Sequence, residues 1–509
     1  MNERVRIRRL PTTVRGFDAV LGGGLPEFSF NLIAGAPGSG KTTLAQQIMF
    51  GLANPDRPAV YFTVLGEPPL KMLRYQQQYE FFDAAKLNTS VRFINLGKEA
   101  IEGGLDAVLA RIVSEVEAAS LRIVVVDSFR SIVQTLQSES ARSARLQSFV
   151  QELATILTGW EATTFLVGEY LPTETEDNPI FTVADGLFWL YQSLDHNSMV
   201  RKVQIMKLRG QAPIPGLHTF RISDKGIQVF PRVIIGPAEK LADGNVPPPP
   251  AEARLSTGVK ELDRMLGGGI PVGYSVLVAG PSGSGKTVLA TKFIAEGARQ
   301  GEPGIIAIFE KRPSDYSRTG GSAIGRLMRQ GDVGIIHTRP LDLSIDETLY
   351  DLKEAINQFK ARRVVIDSLS GFELALAPTF RHDFRESLYR MVAVLTSMGI
   401  TLMVTAELED GYTDLRFSPH GTAFLTDVII MQRYVEIASE LQRMIGVVKV
   451  RASPHSKELR LFDITGEDEI AIGGKLDGYD GLLVGDARPS VPHRSRPTPR
   501  PKRPKGRRR

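Results

Sequence analysis

Short apolar runs alternate with longer segments in which apolar residues recur at helical spacing. The runs are NLIAG, AVYFTV, RIVVVDS and TTFLVGE in the first half of the chain, and SVLVAG, IIAIFE, RVVIDS and TLMVTAE in the second. Runs that are apolar throughout are typical of strands buried on both faces, and strands that alternate with helices favour parallel pairing. The pattern therefore predicts an α/β fold in which each half forms a mainly parallel sheet flanked by helices.

The two halves of the chain repeat one another. The longest match is between VLGGGLPEFSFNLIAGAPGSGKTTL, from Val20, and MLGGGIPVGYSVLVAGPSGSGKTVL, from Met265. Two shorter segments of the first half, VVVDS and KLR, match VVIDS and KVR in the second. Between the halves, DGNVPPPPAE contains consecutive prolines, which favour an extended linker. We expect an N-terminal domain over residues 1–242, a linker over 243–252 and a C-terminal domain over 253–486.

The formal net charge of +5 is concentrated at the C-terminal end of the chain. Ten bases and no acid follow Asp486, so the remaining residues carry a net charge of −5. An acidic body argues against a basic globular surface for nucleic acid. Residues 487–509 are rich in proline and arginine, and we expect a disordered tail. This tail either binds a polyanion or an acidic protein surface, or only aids solubility.

The 509 residues include no cysteine, which excludes disulfides, thiolate zinc sites and cysteine nucleophiles. No apolar run approaches the roughly 18–20 residues that span a bilayer. The opening MNERVRIRRL does not resemble a signal peptide. A cytoplasmic protein with no membrane partner is the simplest interpretation.

Each half contains the phosphate-loop spacing G-x-x-x-x-G-K-[ST], in GAPGSGKT (Gly35 to Thr42) and GPSGSGKT (Gly280 to Thr287). Glycines let backbone N–H groups turn toward phosphate oxygens, and the N-terminus of the following helix favours the same anion. Lys41 and Lys286 are therefore predicted to hold the β- and γ-phosphates of ATP. The other predicted ATP contacts are Gly35, Pro37, Gly38, Ser39, Gly40, Thr42 and Thr43, and Gly280, Ser282, Gly283, Ser284, Gly285 and Thr287. A glycine-rich turn with an incidental lysine is the alternative, and a doubled motif disfavours it.

Four residues are candidates for holding Mg²⁺: Thr42 and Asp127 in the first half, and Thr287 and Asp367 in the second. The two threonines follow the loop lysines, and the two aspartates end the apolar runs RIVVVD and RVVID. An acid at that point of a parallel strand lies at the carboxyl edge of the sheet, beside the phosphate loop. The alternative is an aspartate that only caps a turn.

Glu310 ends the run IIAIFE, 24 residues after the loop lysine of the second half. A carboxylate there is placed to orient or deprotonate the water that attacks the γ-phosphate. The same step in the first half reaches Leu65. Glu67 lies two positions further on, and it is an alternative base for the first half if the register slips. We therefore expect ATP binding in both halves and faster hydrolysis in the second. The alternative is that Glu310 only forms the polar end of a strand.

The chain resembles the KaiC family from about Thr12 to about Ile472. The resemblance rests on the duplicated loops, the LGGG-(L/I)-P lead-in, the strand-end acid, the Asp-Ser pair and KLRG. The resemblance implies two RecA-like domains in a homohexameric double ring, with ATP between subunits. It also implies autokinase activity and binding of a KaiB-like or other signalling protein. Four basic residues match family residues that reach ATP across the subunit interface: Lys207, Arg209, Lys449 and Arg451. The alternative is that they only form a solvated strand edge.

This sequence departs from the family pattern at two places. The family usually has two adjacent glutamates at the strand end, where this chain has Leu65 and Gly66, then Glu310 and Lys311. The phosphorylated Ser-Thr pair of the family aligns with Ala423 and Phe424, neither of which accepts phosphate. Ser418, Thr422 and Thr426 are nearby, and a small shift would make Thr422 an acceptor. Autophosphorylation is therefore left open.

Three functions fit the sequence. The leading one is a KaiC-like ATPase whose nucleotide state controls partner binding. A RecA-type DNA-stimulated ATPase of recombination or repair is the first rival, with nucleic acid bound through the basic tail, although the body is acidic. A nucleotide-gated scaffold with negligible turnover is the second rival, and Leu65 and Gly66 favour it for the first half.

Overall fold

The computed structural model describes residues 7–64, 69–130, 139–171, 179–195, 198–233, 253–309, 321–337, 343–376, 378–381, 384–408, 426–465, 469–476, 478–480 and 488–489. The chain forms two compact units. The first comprises Met1–Ile235, Pro340–Glu354 and Leu374–Met391, and the second comprises Gly236–Arg339, Ala355–Glu373 and Val392–Arg509. The expected linker lies outside the described residues.

The first unit contains a small ladder of β1 (Arg9–Leu10) with β2 (Leu25–Pro26) and a nine-stranded sheet. The strands of the sheet are β3 (Phe30–Gly35), β4 (Ala59–Thr63), β5 (Val91–Asn95), β6 (Ile123–Asp127), β7 (Thr163–Glu169), β8 (Gly186–Asp195), β9 (Ser198–Leu208), β10 (Leu217–Ser223) and β11 (Gly226–Phe230). Their order is β5-β4-β6-β7-β3-β8-β9-β10-β11. Pairing is parallel from β5 to β8 and antiparallel from β8 to β11.

Helices cover both faces of this sheet. They are α1 (Phe17–Leu21), α2 (Lys41–Leu52), α3 (Pro69–Gln76), α4 (Gly97–Glu102), α5 (Gly104–Ala119), α6 (Glu139–Gly159) and α7 (Pro179–Val183), with a 3₁₀ turn at Ala84–Lys86. Ile48 of α2 belongs to the core that includes Ile33, on one face of the sheet. Ile112 of α5 and Leu153 of α6 belong to the core that includes Leu32, on the other face. Because successive side chains of β3 point to opposite faces, one apolar strand supplies both cores.

The second unit repeats this arrangement. The strands are β12 (Arg254–Leu255), β13 (Ile270–Pro271), β14 (Ser275–Gly280), β15 (Gly304–Ile308), β16 (Val333–His337), β17 (Arg363–Asp367), β18 (Thr401–Glu407), β19 (Val428–Ile437), β20 (Glu440–Val450), β21 (Leu459–Thr465) and β22 (Glu469–Lys475). Strands β12 and β13 pair with each other, and the other nine form a sheet in the order β16-β15-β17-β18-β14-β19-β20-β21-β22. Pairing is parallel from β16 to β19 and antiparallel from β19 to β22.

The helices of the second half are α8 (Lys260–Met265), α9 (Lys286–Arg299), α10 (Gly321–Gln330), α11 (Ile345–Phe359), α12 (Leu369–Ala375), α13 (Pro378–Arg381) and α14 (Phe384–Ser397). Phe293 of α9 lies in the core with Val278 of β14. Arg488 and Pro489, the first described residues of the expected tail, form β24 and pair with β23 (Tyr479–Asp480). In the described part of the chain, no helix is long and apolar enough to cross a bilayer.

All eight apolar runs form strands, and all eight lie in the parallel part of a sheet. The strands are β3, β4, β6, β7, β14, β15, β17 and β18. The prediction of two tandem RecA-like domains, each with a mainly parallel sheet flanked by helices, is therefore confirmed. The outer strands β5 and β16 are not predicted, and neither are β8 to β11 and β19 to β22, which lead into and form the antiparallel extensions. Strands β9 and β20 are partly exposed and mix charged with apolar residues, as in KVQIMKL, so they lack the continuous apolar run of a buried strand.

Candidate functional site

Each phosphate loop joins a buried strand to a helix that begins at the loop lysine. In the first unit β3 ends at Gly35 and α2 begins at Lys41, and in the second β14 ends at Gly280 and α9 begins at Lys286. The glycine before each lysine is in the left-handed region, with φ of 99° at Gly40 and 104° at Gly285. This conformation strains any residue with a Cβ. The loops therefore need glycine for the path that turns their backbone around an anion.

Neighbouring side chains would also have to move to admit a Cβ at these two positions. A Cβ at Gly40 would lie 2.8 Å from Cδ1 of Ile222, and one at Gly285 would lie 2.8 Å from Cδ1 of Ile464. Both isoleucines are on the antiparallel extension of their sheet. These unpredicted strands therefore support the back of each loop.

The predicted metal-binding residues are brought together in both units. Oγ1 of Thr42 donates a hydrogen bond of 2.7 Å to Oδ2 of Asp127, and Oγ1 of Thr287 donates one of 2.9 Å to Oδ2 of Asp367. In each sheet one strand, β7 or β18, lies between the strand of the loop and the strand that ends in the aspartate. The hydroxyl and the carboxylate thus meet at the carboxyl edge of the sheet, as the sequence predicts.

The loop lysines lie over the carbonyl oxygens of their own loops. Nζ of Lys41 donates to the carbonyl of Ala36 over 2.8 Å, and Nζ of Lys286 donates to those of Gly280 and Pro281 over 2.8 and 2.7 Å. Burial lowers the pKa of Lys41, and the negative charges of Glu169 and Asp127 oppose that shift. Phosphate oxygens within the loop would be alternative acceptors for these ammonium groups.

A cavity of about 500 Å³ opens beside the first loop. Its lining residues are Gly38, Gly40, Lys41, Thr42, Thr43, Tyr79, Asp127, Ser128, Glu169, Arg201 and Ile222. Five lining residues are not predicted as site residues: Tyr79, Ser128, Glu169, Arg201 and Ile222. Ser128 has a signal in the repeated Asp-Ser pair, and Glu169 has one as the acid that ends the strand TTFLVGE. The other three lie in segments whose packing against the loop no local pattern indicates.

The two aspartates are held by different partners. The hydroxyl of Tyr61 in β4 donates to Oδ2 of Asp127 over 2.5 Å, whereas Oγ1 of Thr405 in β18 donates to Oδ1 of Asp367 over 2.5 Å. Burial raises the pKa of Tyr61 well above its ordinary value, so the phenol keeps the proton that it donates. Burial also raises the pKa of Asp127, and the hydrogen bonds from Tyr61 and Thr42 oppose that shift.

The four basic residues predicted to act across a subunit interface lie at the ends of β9 and β20. Nζ of Lys207 donates to the carbonyl of Thr182 over 2.8 Å, and Nη1 of Arg209 pairs with Asp185 over 3.1 Å. Neither base is among the residues that line the cavity of the first loop. The structure therefore does not bring them to the phosphate loop of their own unit.

The second pair of bases has the same contacts. Nζ of Lys449 donates to the carbonyl of Thr426 over 2.6 Å, and Nη1 of Arg451 pairs with Asp427 over 3.0 Å. Burial lowers the pKa of Lys449, as it does that of Lys207, and the adjacent arginine adds to the effect in both pairs.

Several predicted residues lie outside the described residues. They are Leu65, Gly66 and Glu67 in the first half and Glu310, Lys311, Ser418, Thr422, Ala423 and Phe424 in the second. Strand β15 ends at Ile308, and Phe309 after it is buried. Thr426 is described and is 4% exposed.

The described residues fit a magnesium–nucleotide complex. Each site offers one hydroxyl and one carboxylate, and Mg²⁺ is usually held by one or two such groups together with substrate phosphates and water. Among the described residues no cluster of three or more His, Asp or Glu side chains is suited to hold a metal ion alone. One hydroxyl and one carboxylate would suit a metal that is delivered with a polyphosphate, and the glycine cradle would receive the phosphates.

Two RecA-like sheets, each with a phosphate loop and a threonine–aspartate pair at its carboxyl edge, define a tandem P-loop nucleoside triphosphatase. The family model of the KaiC ATPase matches residues 10–234 and again 255–477. The chain belongs to the KaiC family of ATPases.

Curated relatives match over nearly the whole chain. The circadian clock oscillator protein KaiC of Rippkaea orientalis is 29% identical, with 94% of this chain and 91% of the relative covered. KaiC 1 of Synechocystis is 29% identical, with 95% and 94% covered. KaiC of Synechococcus elongatus is 29% identical, with 91% and 89% covered. The similarity therefore includes both repeats.

Proposed function

We propose that this chain is an ATPase that binds Mg²⁺ and ATP in both repeats and hydrolyses ATP mainly in the second. The observation that supports this most directly is the doubled contact of Thr42 with Asp127 and of Thr287 with Asp367 beside the two phosphate loops. In this proposal Lys41 and Lys286 hold the β- and γ-phosphates, and bound Mg²⁺ draws negative charge from the phosphate oxygens.

Hydrolysis in the second repeat requires a base for the attacking water, and we assign that role to Glu310. The water oxygen bonds to the γ-phosphorus, its proton passes to the Glu310 carboxylate, and the bond to the β–γ bridging oxygen breaks. Lys286 neutralises part of the charge on the leaving ADP. The first repeat has Leu65 and Gly66 at the corresponding positions, so it serves mainly to hold nucleotide.

The assembly that we propose is a homohexameric double ring in which ATP lies between subunits. The basic residues at the C-terminal ends of β9 and β20 support this arrangement, because Lys207 and Arg209 do not line the cavity of the loop in their own unit. In a ring, Lys449 and Arg451 of one subunit would stabilise the phosphoryl group bound by the next. The clock relatives suggest the output: nucleotide state in the rings controls the binding of a signalling protein, of the KaiB kind or another.

For self-phosphorylation in the second repeat we propose Thr422 as the acceptor, because Ala423 and Phe424 occupy the positions of the family's acceptor pair. Incubation with Mg²⁺ and ATP followed by mass spectrometry tests this assignment. Phosphate on Thr422 that is lost in Thr422→Val would support it. An unmodified chain under conditions of active hydrolysis would contradict it.

The main proposal is tested by counting bound nucleotides in assemblies separated by size. We expect six chains with two nucleotides per chain, and one nucleotide per chain in either Lys41→Ala or Lys286→Ala. A monomer that binds a single nucleotide would contradict the proposal.

A mixing experiment tests the action across subunits. Arg451→Ala and Lys286→Ala should each hydrolyse ATP poorly alone, because one lacks the donated base and the other lacks the phosphate loop. Mixed rings contain some interfaces in which both residues are intact, so the mixture should recover part of the activity. A mixture no more active than its components would show that Arg451 does not act in trans.

A further inference from the structure

The carboxylates that end β6 and β17 are held in two different ways, and this difference has a consequence for metal binding. In the first unit Tyr61 and Thr42 both donate to the same oxygen, Oδ2 of Asp127. In the second unit Thr287 donates to Oδ2 of Asp367 and Thr405 donates to Oδ1, so each oxygen has one protein donor.

The arrangement in the first unit fixes the direction of the second oxygen. Within the described part of the chain, Oδ1 of Asp127 accepts no hydrogen bond, and Asp127 is one of the residues that line the cavity of the first loop. Both aspartates are held by two donors, but in the first unit both donors lie on Oδ2, so Oδ1 is left for a cation in the cavity or for its water ligands. Both oxygens of Asp367 already accept a protein hydrogen bond. A carboxylate oriented by its hydrogen-bonding partners binds a metal more tightly.

Tyr61 is suited to this role by its burial. Its side chain is 0% exposed and its ring lies 5.3 Å from that of Phe93, at an angle of 35°. The phenol therefore approaches Asp127 from a fully packed part of the core. A buried hydroxyl that loses an acceptor loses compensation for its desolvation, so burial favours the contact with Asp127.

We propose that Tyr61 is a positioning residue that orients Asp127 toward the metal of the first site, so that the first repeat retains magnesium and nucleotide at lower magnesium concentration than the second. The inference rests on the proposed binding of nucleotide at the first loop. Among the residues that the structure describes in the second unit, no tyrosine donates to Asp367. The residue of β15 that matches Tyr61 of β4 in the register of the two sheets is Ile306.

The test uses the full-length chain with Lys286→Ala, which restricts nucleotide binding to the first site. A fluorescent, non-hydrolysable ATP analogue is titrated with Mg²⁺ in this parent and in the same chain with Tyr61→Phe. The phenylalanine keeps the ring and removes only the hydroxyl. We expect the Mg²⁺ midpoint to rise about tenfold or more, with little change in the binding measured in EDTA.

The matched control for the second site is Thr405→Val in a chain with Lys41→Ala. The Mg²⁺ midpoint of the Lys41→Ala parent should already exceed that of the Lys286→Ala parent, which reports on the first site. An unchanged midpoint in Tyr61→Phe would overturn the inference. An equal loss of binding with and without Mg²⁺ would also overturn it, since Tyr61 would then act through packing alone. Absence of Mg²⁺-dependent binding in the Lys286→Ala parent would overturn the proposed function of the first site, and this inference with it.

Discussion

Oγ1 of Thr42 donates a hydrogen bond of 2.7 Å to Oδ2 of Asp127, a residue 85 positions later in the chain. Thr42 is the second residue of the helix that follows the phosphate loop, and Asp127 is the last residue of a strand two places away in the sheet. The contact joins the part of the site that faces phosphate to the part that faces the metal. The same contact between Thr287 and Asp367 makes the second unit a site of the same kind.

The carboxylate of Asp367 should therefore control the metal dependence of the second site. Asp367→Asn replaces a charged oxygen by an amide of similar shape. We expect the Mg²⁺ concentration needed for nucleotide binding to rise about 10- to 100-fold, because loss of an ordered oxygen partner near a metal has effects of this size. This Mg²⁺ concentration is measured by titrating a Lys41→Ala chain with Mg²⁺, with and without Asp367→Asn. Exposed Asp463 provides the control, since Asp463→Asn should leave the titration unchanged.

The backbone conformation of the second phosphate loop predicts that a side chain at Gly285 impairs nucleotide binding. At Gly285 a Cβ would be both strained, at φ of 104°, and too close to Ile464. Gly285→Ala should therefore abolish nucleotide binding at the second site. Gly301 also has a positive φ, 77°, but nothing lies within 4 Å of its missing Cβ.

Gly301→Ala is thus a matched control for strain without crowding. It should lower the free energy of unfolding by about 1–2 kcal/mol and leave nucleotide binding intact. Normal binding by Gly285→Ala would show that the loop tolerates a Cβ and would contradict the cradle described above.

Arg363 is a structural charge whose side chain is 0% exposed. Its guanidinium donates to Glu302 over 3.0 and 2.9 Å and to the carbonyls of Ser256 and Phe293 over 2.8 and 3.0 Å. Arg363→Met leaves these acceptors without their donor and should lower the free energy of unfolding by about 3–5 kcal/mol. Urea unfolding measures the change. The neighbouring Arg362 is exposed, and Arg362→Met should change stability by less than about 0.5 kcal/mol; equal effects of the two substitutions would contradict the account.

Asp351 predicts a pH dependence of stability. Burial, together with the carboxylate of Glu347 one turn earlier in α11, raises the pKa of Asp351 from 3.8 to about 6. Between these values the folded chain holds a proton that the unfolded chain has lost, so this group makes stability fall as pH rises from about 4 to about 6. Above pH 6 its contribution is constant.

Removing the charge should remove that loss of stability. Asp351→Asn should be more stable than the parent by about 1–2 kcal/mol above pH 6, a value reduced for solvent screening of a partly exposed group. Urea unfolding at pH 4 and at pH 7 measures the change, and at pH 4 the two chains should be nearly equal. The same stability difference at both pH values would contradict this assignment.

Much of the fold could be predicted because its central strands are buried on both faces. NLIAG and RVVID, which form β3 and β17, are apolar throughout, and the phosphate loops that follow β3 and β14 have a fixed spacing. The strands beyond β8 and β19 could not be predicted, because a partly solvated antiparallel strand mixes polar and apolar residues.

In the site, the threonine–aspartate pairs followed from the motif, whereas the difference between their partners did not. The hydroxyl of Tyr61 lies inside the apolar run AVYFTV, where the sequence indicates only a core aromatic residue. Arg201 reaches the cavity through strand order and side-chain direction, which one-dimensional spacing does not contain.

The most direct test of the central claim is steady-state ATP hydrolysis by the full-length chain and by Glu310→Gln, with bound nucleotide counted in the same samples. The account predicts that hydrolysis falls to background in Glu310→Gln while two nucleotides per chain remain bound. Glu67→Gln is the matched control from the first repeat and should retain most of the activity. Undiminished hydrolysis in Glu310→Gln would contradict the claim, because turnover would then come from the first repeat or from another base.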